Sequence, residues 1–162
     1  MFIVDTNVLI EAKNRYYAFD LAPGFWEWLT HAHAQGQIAS IKAIYDELTV
    51  STDELSGWAK AHPGFFLPMD APSLGQINPL MQWAASQRFT LAALAAFTGD
   101  DADLLITAFA AAHGHTVVTH EKSRPKSIAQ VYIPDACKGL GVPVVDTFTM
   151  LRQTGAVLHM RP

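Results

Sequence analysis

Cysteine is almost absent from this chain: Cys137 stands alone among 162 residues. A single thiol excludes an internal disulfide and a thiolate zinc centre, so a reducing compartment is the expectation. Charge is sparse, at 16 % of residues, with eleven Lys and Arg against fifteen Asp and Glu. The formal charge of −4 argues against bulk electrostatic capture of nucleic acid, but not against a local basic patch or a bound cation. Long apolar runs are also missing. The longest, around Leu91–Phe97 and Leu104–Ala112, fall far short of the roughly 20 residues that span a bilayer. Asp5 interrupts the apolar start, so no leader is expected there. The expected location is cytoplasmic, with no membrane partner.

What remains is a chain with 50 % hydrophobic residues, enough for one well-buried core, and the expectation is a single domain over residues 1–162. Strand and helix signals alternate. Phe2-Ile-Val4 is an apolar run of the kind buried on both faces. Similar short runs follow at Ile38–Ser40, Phe65–Leu67, Thr116–Thr119 and Val142–Val145. Between them lie helical patterns at Ile10–Tyr17, Gly24–Gln35 and Ile41–Leu48, and a capped start at Ser51-Thr-Asp-Glu54. An alanine-rich helical stretch spans Leu74–Phe97 with a break near Phe89-Thr90. Further helices are expected from Asp103 to Ala112, from Ile133 to Gly139, and over Thr147–Thr154. The fold class implied is α/β, a central parallel sheet flanked by helices.

Carboxylates carry the chemistry. Asp5 interrupts an apolar strand, where an unpaired buried acid costs several kcal/mol, so it belongs at the strand end. Glu47 borders the apolar face made by Ile41, Ile44, Tyr45 and Leu48. Asp103 opens a helix, and Glu121 follows the Thr116–Thr119 strand. Each has an ordinary explanation: a polar turn for Asp5, a helix-start acid for Asp103, a solvated face for Glu47, a surface ion pair for Glu121. Their joint placement is more specific. Strand ends of one parallel sheet share an edge, and a helix leading into the fourth strand begins at that same edge. Two acids about 5 Å apart repel by about 3 kcal/mol at an effective dielectric near 20. Such a cluster requires a cation or raised pKa values, and an all-oxygen set suits magnesium or manganese.

At these residues the sequence resembles the PIN-domain nucleases. The matching pieces are Ile3-Val-Asp-Thr-Asn-Val-Leu-Ile10, Asp46-Glu-Leu48, Asp103-Leu-Leu-Ile-Thr-Ala-Phe-Ala110 and Gly114-His-Thr-Val-Val-Thr-His-Glu121. They come in the family's order and cover nearly the whole chain. Within the family the sequence is similar to VapC-type toxins of toxin–antitoxin pairs. It is also similar to a VapC-like group in which Ile133-Pro-Asp-Ala-Cys137 and Asp146-Thr-Phe-Thr-Met-Leu151 recur. The resemblance implies a PIN-like fold and a divalent-metal endoribonuclease using Mg2+ or Mn2+. Asp5, Glu47, Asp103 and Glu121 would form the catalytic and metal-holding acids, with Asn7 and Thr119 as polar support. It also implies a cognate antitoxin. The surplus of apolar residues suggests a face covered by a partner, either that antitoxin or a second copy in a homodimer. One departure stands out: the family usually has Asp at the fourth acidic position, often after Thr-Arg, where this chain has Thr119-His-Glu121.

Hydrolysis in line at a phosphodiester would leave a 5′ phosphate and a 3′ hydroxyl. Cationic side chains for RNA follow the first acid (Lys13, Arg15) and the last (Lys122, Arg124, Lys126), five of the eleven basic residues in two short stretches. His113 with His115 and His31 with His33 sit at i, i+2 spacing, unsuited to a shared zinc on one helical face. Two rival classes are weighed. A haloacid-dehalogenase-type phosphatase also starts with an aspartate after strand one, but needs a second acid where Asn7 stands. A catalytically degenerate PIN domain that only binds RNA or protein is the stronger rival, because of Glu121. If Lys122, Arg124 and Lys126 grip phosphates, replacing all three by Ala should weaken binding to every RNA alike. The log–log salt slope should flatten by about 0.7 for each lost contact to a single strand. Unchanged affinity and slope, with loss of inhibition by an antitoxin, would assign the loop to that partner instead.

Overall fold

The computed structural model describes residues 1–158; the last four residues of the expected 1–162 domain lie outside the described residues. Its sheet is built from β1 (Phe2–Val4), β2 (Ile38–Ile41), β3 (Phe66–Leu67), β4 (Thr116–Val118) and β5 (Val144–Val145). The strands lie side by side in the order β3-β2-β1-β4-β5, and each adjacent pair is parallel. This is the α/β, all-parallel arrangement expected of a PIN-like fold. The chain lays strands outward from β1 to β3, then returns to the other side of β1 to place β4 and β5. The reversal falls between β1 and β4, where Val4 pairs with Val118. A crevice at the carboxyl ends of those two strands is the consequence.

Ten helices cover the sheet among the described residues: α1 (Thr6–Glu11), α2 (Pro23–Ala34), α3 (Lys42–Thr49), α4 (Glu54–Ala61), α5 (Ala71–Gly75), α6 (Ile77–Ala85), α7 (Leu91–Ala96), α8 (Ala102–His113), α9 (Ile133–Leu140) and α10 (Thr147–Gln153). Helix starts follow local chemistry. The side chains of Asp53, Asp70, Thr90, Asp101 and Asp146 each accept a backbone N–H from the first turn of the helix they precede. Gly114 and Gly141 end α8 and α9 with positive φ, a conformation that glycine adopts without penalty. Helix α8 is apolar nearly all round, with every residue from Leu104 to Ala110 buried, as befits a helix enclosed on all sides. It packs on α5, α6, α9 and the sheet.

The structure moves several expected boundaries. The first helix starts at Thr6, four residues before Ile10, because Asp5 caps it. It then widens into a π-turn over Ala12–Tyr16, closed by the Tyr17 N–H donating to the Ala12 carbonyl at 2.6 Å. The expected Leu74–Phe97 stretch is three helices, since Asp70 starts α5 before Pro72 and Gln76 interrupts. The last strand shortens from Val142–Val145 to two residues. Trp26, Trp58, Phe65 and Phe66 are core residues, while Trp28 and Trp83 pack half-buried against the core. No helix among the described residues is long and apolar enough to cross a membrane.

Gly139 of α9 lies directly beneath Trp83 of α6, and a Cβ there would collide with the indole. Gly139→Ala should destabilise the protein by about 1–3 kcal/mol, read as a lower melting temperature. A Tm equal to wild type would mean that Trp83 swings aside freely.

Candidate functional site at the carboxyl edge of the sheet

Asp5 follows β1 directly, and its backbone N–H continues the ladder to the Val118 carbonyl at 3.0 Å. The strand therefore carries a carboxylate into the interior, where Asp5 is 4 % exposed. Two donors hold it: Oδ1 accepts the Thr6 N–H at 2.7 Å, and Oδ2 accepts the Thr119 hydroxyl at 2.8 Å. Thr119, just past β4, is a hub. Its Oγ1 accepts from the Asn7 side-chain amide at 3.0 Å and from the Glu121 N–H at 3.1 Å. The Asn7 carbonyl oxygen in turn accepts the His120 N–H at 3.0 Å. Asn7 and Thr119 thus tie the turn after β1 to the turn after β4.

Asp103 lies half-buried in the first turn of α8. Its carboxyl is pushed up to about 8, first by burial and then by the charges of Asp5, Asp101, Glu121 and Glu47. Asp5 rises to about 7, again chiefly through burial, against the lowering effect of Thr119 and Thr6 and with Glu121 and Glu47 adding to the rise. Burial also raises Glu121. The four expected acids therefore share one electrostatic neighbourhood. They are not equally buried: Glu47 is exposed on α3 and accepts a short hydrogen bond from the Thr6 hydroxyl. Glu121 accepts the Ile133 N–H at 2.8 Å, so part of its binding capacity is spent on the start of α9.

Asp101 belongs to the cluster and is absent from the expected set. It is half-buried, caps α8 through the Asp103 N–H, and is raised by burial with contributions from Glu47 and Glu121. The capping rule would have found it: an acid two residues before a helix-start acid is an N-cap. Thr6, which positions Glu47, has no comparable sequence signal, because its partner is 41 residues away.

Among the described residues no three or more His, Cys, Asp or Glu side chains form a group that could hold a metal ion. The expected convergence of Asp5, Glu47 and Asp103 on one ion is thus absent as a finished cage. The donor chemistry still suits a hard divalent cation, because magnesium takes one or two carboxylates and leaves its other positions to water and substrate phosphate. Asp5 and Asp103 are the two most strongly perturbed acids of the cluster, each held above its ordinary pKa chiefly by burial and partly by the other acids.

The expected cationic residues separate into groups. Arg15 and Lys122 line a cleft of about 520 Å³ together with Asn7 and Glu121, so these two border the acids. Lys13 instead pairs with Asp53 at 2.6 Å. Arg124 lies over the Tyr132 ring, 5.0 Å from its centre, and lines a separate cleft with Lys126. On the other flank, Asp101 and Asp103 line a cleft of about 310 Å³. Openings therefore reach the acids from two sides.

Fold and site together define a PIN-like α/β protein with a carboxylate cluster at the topological switch of its sheet. The chain belongs to the family described as Domain of unknown function (DUF4411), whose sequence profile matches residues 2–158. A solved structure, FitAcB from Neisseria gonorrhoeae, aligns with 89 % of this chain and 96 % of its own, at a TM-score of 0.53 and 18 % identity. At that identity the likeness is one of fold. No curated protein matches the chain.

Raised carboxyls make the cation-free protein sensitive to pH. Asp5 and Asp103 bind their protons more tightly folded than unfolded, so their contribution is complete below about pH 4. It is lost as pH rises through the values near 7 and 8. The depressed histidines His115 and His120 act in the opposite sense below pH 6.5, so the diagnostic quantity is the difference between wild type and Asp103→Asn. That difference should move in favour of the variant as pH rises from 5 to 8.5. Each pKa unit is worth about 1.36 kcal/mol, or about 3–5 °C in Tm for a chain of this size. Parallel Tm curves for the two proteins would show that Asp103 ionises as it does in the unfolded chain.

Proposed function

We propose that this protein is a divalent-cation-dependent endoribonuclease, the toxin of a toxin–antitoxin pair. The observation that carries the reading is the gathering of acids at the strand ends, where Asp5 and Asp103 are both pushed up by burial and by the charges of neighbouring carboxylates. Groups perturbed in this way by burial and specific neighbours mark functional sites more often than structural ones. The PIN-like fold and the four matching sequence pieces support the same reading.

Asp5 and Asp103 would hold the cation, Mg2+ or Mn2+. Bound there, such an ion acidifies a water and neutralises a non-bridging phosphate oxygen. The chain's own residues supply orientation. The Thr119 hydroxyl and the Thr6 N–H aim the Asp5 carboxylate. Asn7 fixes Thr119 and the His120 backbone, so the ends of β1 and β4 keep one spacing. Glu47, steadied by the Thr6 hydroxyl, would accept the proton of an attacking water. Glu121 acts on the field of the site, since its carboxylate is already engaged by the Ile133 N–H. Arg15 and Lys122 approach the RNA backbone from the neighbouring cleft, contacts that position a strand without reading its sequence. A cognate antitoxin covering this edge, and a homodimer, complete the proposal.

One alternative has a specific observation behind it. Glu47 and Glu121 are both occupied by hydrogen bonds within the protein, which favours a degenerate domain that binds RNA without cutting it. Cleavage by the purified protein separates the two. Wild type should cut single-stranded RNA with added Mg2+ or Mn2+, leave 5′ phosphates, and stop when the ion is chelated. Asp5→Asn should reduce the rate by about two orders of magnitude or more, as loss of a metal ligand or its support does. The fold should remain intact. Equal cleavage by both proteins would mean that the nuclease acts elsewhere or is a contaminant. RNA binding without cleavage by either would support the degenerate domain.

A further inference from the structure

The π-turn at Ala12–Tyr16 sends Arg15 and Tyr16 outward into the cleft that borders Asn7 and Glu121. Opposite them stands Phe148 of α10, and His120 closes the back. His120 is fixed there by a 3.1 Å contact from its Nε2 to the Thr147 hydroxyl. The Tyr16 and Phe148 rings meet edge to face, their centres 5.8 Å apart at 81°, and Tyr16 lies 6.2 Å from His120. Unlike the stacked rings of the core, these two are open to solvent: Tyr16 is 50 % exposed and Phe148 39 %. An edge-to-face pair satisfies one edge and one face, and leaves ring surface available for a flat partner.

Polar groups around the rings alternate in character. The charge of Lys122 acts on Asp146 and His120 of the same cleft. Arg15 reaches Glu11 through Nε at 3.3 Å, while its side chain is 69 % exposed. Asn7 adds a donor and an acceptor to the same walls, while Glu11, Glu121 and Asp146 add acceptors only, so a phosphate could approach this cleft only from the side of Arg15 and Lys122. A volume of about 520 Å³ lies within the usual range for a small-molecule subsite. Flat, heteroaromatic and edged with donors and acceptors describes a nucleobase, and the two cations match the phosphates on either side of it. Because Asn7 and Glu121 belong to both this cleft and the acidic cluster, a base seated here is directly continuous with a phosphate at Asp5 and Asp103.

We propose that the Tyr16–His120–Phe148 cleft is a stacking subsite that receives one unpaired base of the RNA strand beside the cleaved phosphate. This rests on the ribonuclease reading given above. A base in a duplex is stacked on both faces and presents its ring to no side chain, whereas unpaired bases stack on exposed aromatic residues. The remaining cations, Arg124 and Lys126, lie in a different cleft and have no part in this selection.

The test is binding in the presence of a chelator, followed by fluorescence anisotropy. The probes are a short single-stranded RNA and an abasic oligomer of the same length and charge. Wild type should prefer the base-bearing strand by about 10-fold, within the range measured for stacking one base on an aromatic side chain. Tyr16→Ala/Phe148→Ala should bind both oligomers with the affinity that wild type shows for the abasic one. Both side chains lie outside the buried core, so the double variant should keep its circular dichroism. Tyr16→Trp, which preserves a stacking face, should retain the preference even if the double variant proves unstable. Lys122→Ala should weaken both probes alike. Three results overturn the proposal: no preference in wild type, a preference that survives the double variant, or equal loss on both probes. Metal-dependent cleavage is measured separately. Base preference without cleavage would remove the nuclease reading and leave the base site standing. Cleavage without base preference would remove the base site alone.

Discussion

The carboxylate of Asp5 sits where two neighbouring parallel strands end, and the Thr119 hydroxyl bonded to it joins the first turn of the protein to the fourth strand. Everything at the carboxyl edge is arranged around that contact. The ladder between β1 and β4 sets the spacing of the two strand ends. The amide of Asn7 and the N–H groups of His120 and Glu121 then complete the hydrogen-bonding of both turns. A buried acid without these donors would cost several kcal/mol. With them it is tolerated, but as a group that keeps its proton near neutral pH. The hydrophobic core supplies most of the stability, and it does so while enclosing one group that resists enclosure.

That resistance explains why the acids are better understood together than singly. Burial is the leading cause for Asp5, Asp103 and Asp101, and mutual repulsion adds to each. A fold under no other demand would replace Asp103 with an uncharged residue, since α8 is otherwise apolar through Ala110. Placing charge where it repels charge stores a tendency to bind a cation or a proton. The two longer acids differ in kind. Glu47 and Glu121 each reach a donor of the protein itself, and so border the cluster rather than form its centre.

Around this centre the fold distributes positive charge sparingly. Lys13 is committed to Asp53 and Arg124 to the face of Tyr132. Adjacent positions in sequence therefore have divergent roles, because the π-turn and the loop after Glu121 rotate successive side chains to different neighbours. Among the described residues, Arg15 and Lys122 are the cations that share a cleft with exposed rings and with Glu121. A protein of formal charge −4 gains little long-range attraction for RNA, so affinity would have to come from local contacts of this kind.

The sequence by itself determined the class of fold. Apolar runs such as Phe2–Val4 and Thr116–Val118 are too short for helices, and they alternate with helical periodicity, which leaves a parallel, helix-covered sheet as the economical solution. It also marked Asp5, which interrupts an apolar run, as an unusual acid, whereas Asp103, at the start of an apolar helix, had an ordinary reading of its own. Local chemistry was less completely legible: Asp5 capping a helix at Thr6, and Asp70 starting one before Pro72, are signals present in the sequence but ambiguous without neighbours. Tertiary structure alone decided the rest. The Thr6–Glu47 and Glu121–Ile133 contacts, the diversion of Lys13, and the meeting of Tyr16 with Phe148 all join residues distant in sequence or choose among several partners. Periodicity reports which face of an element is buried; it carries no information about what the other elements bring to meet it.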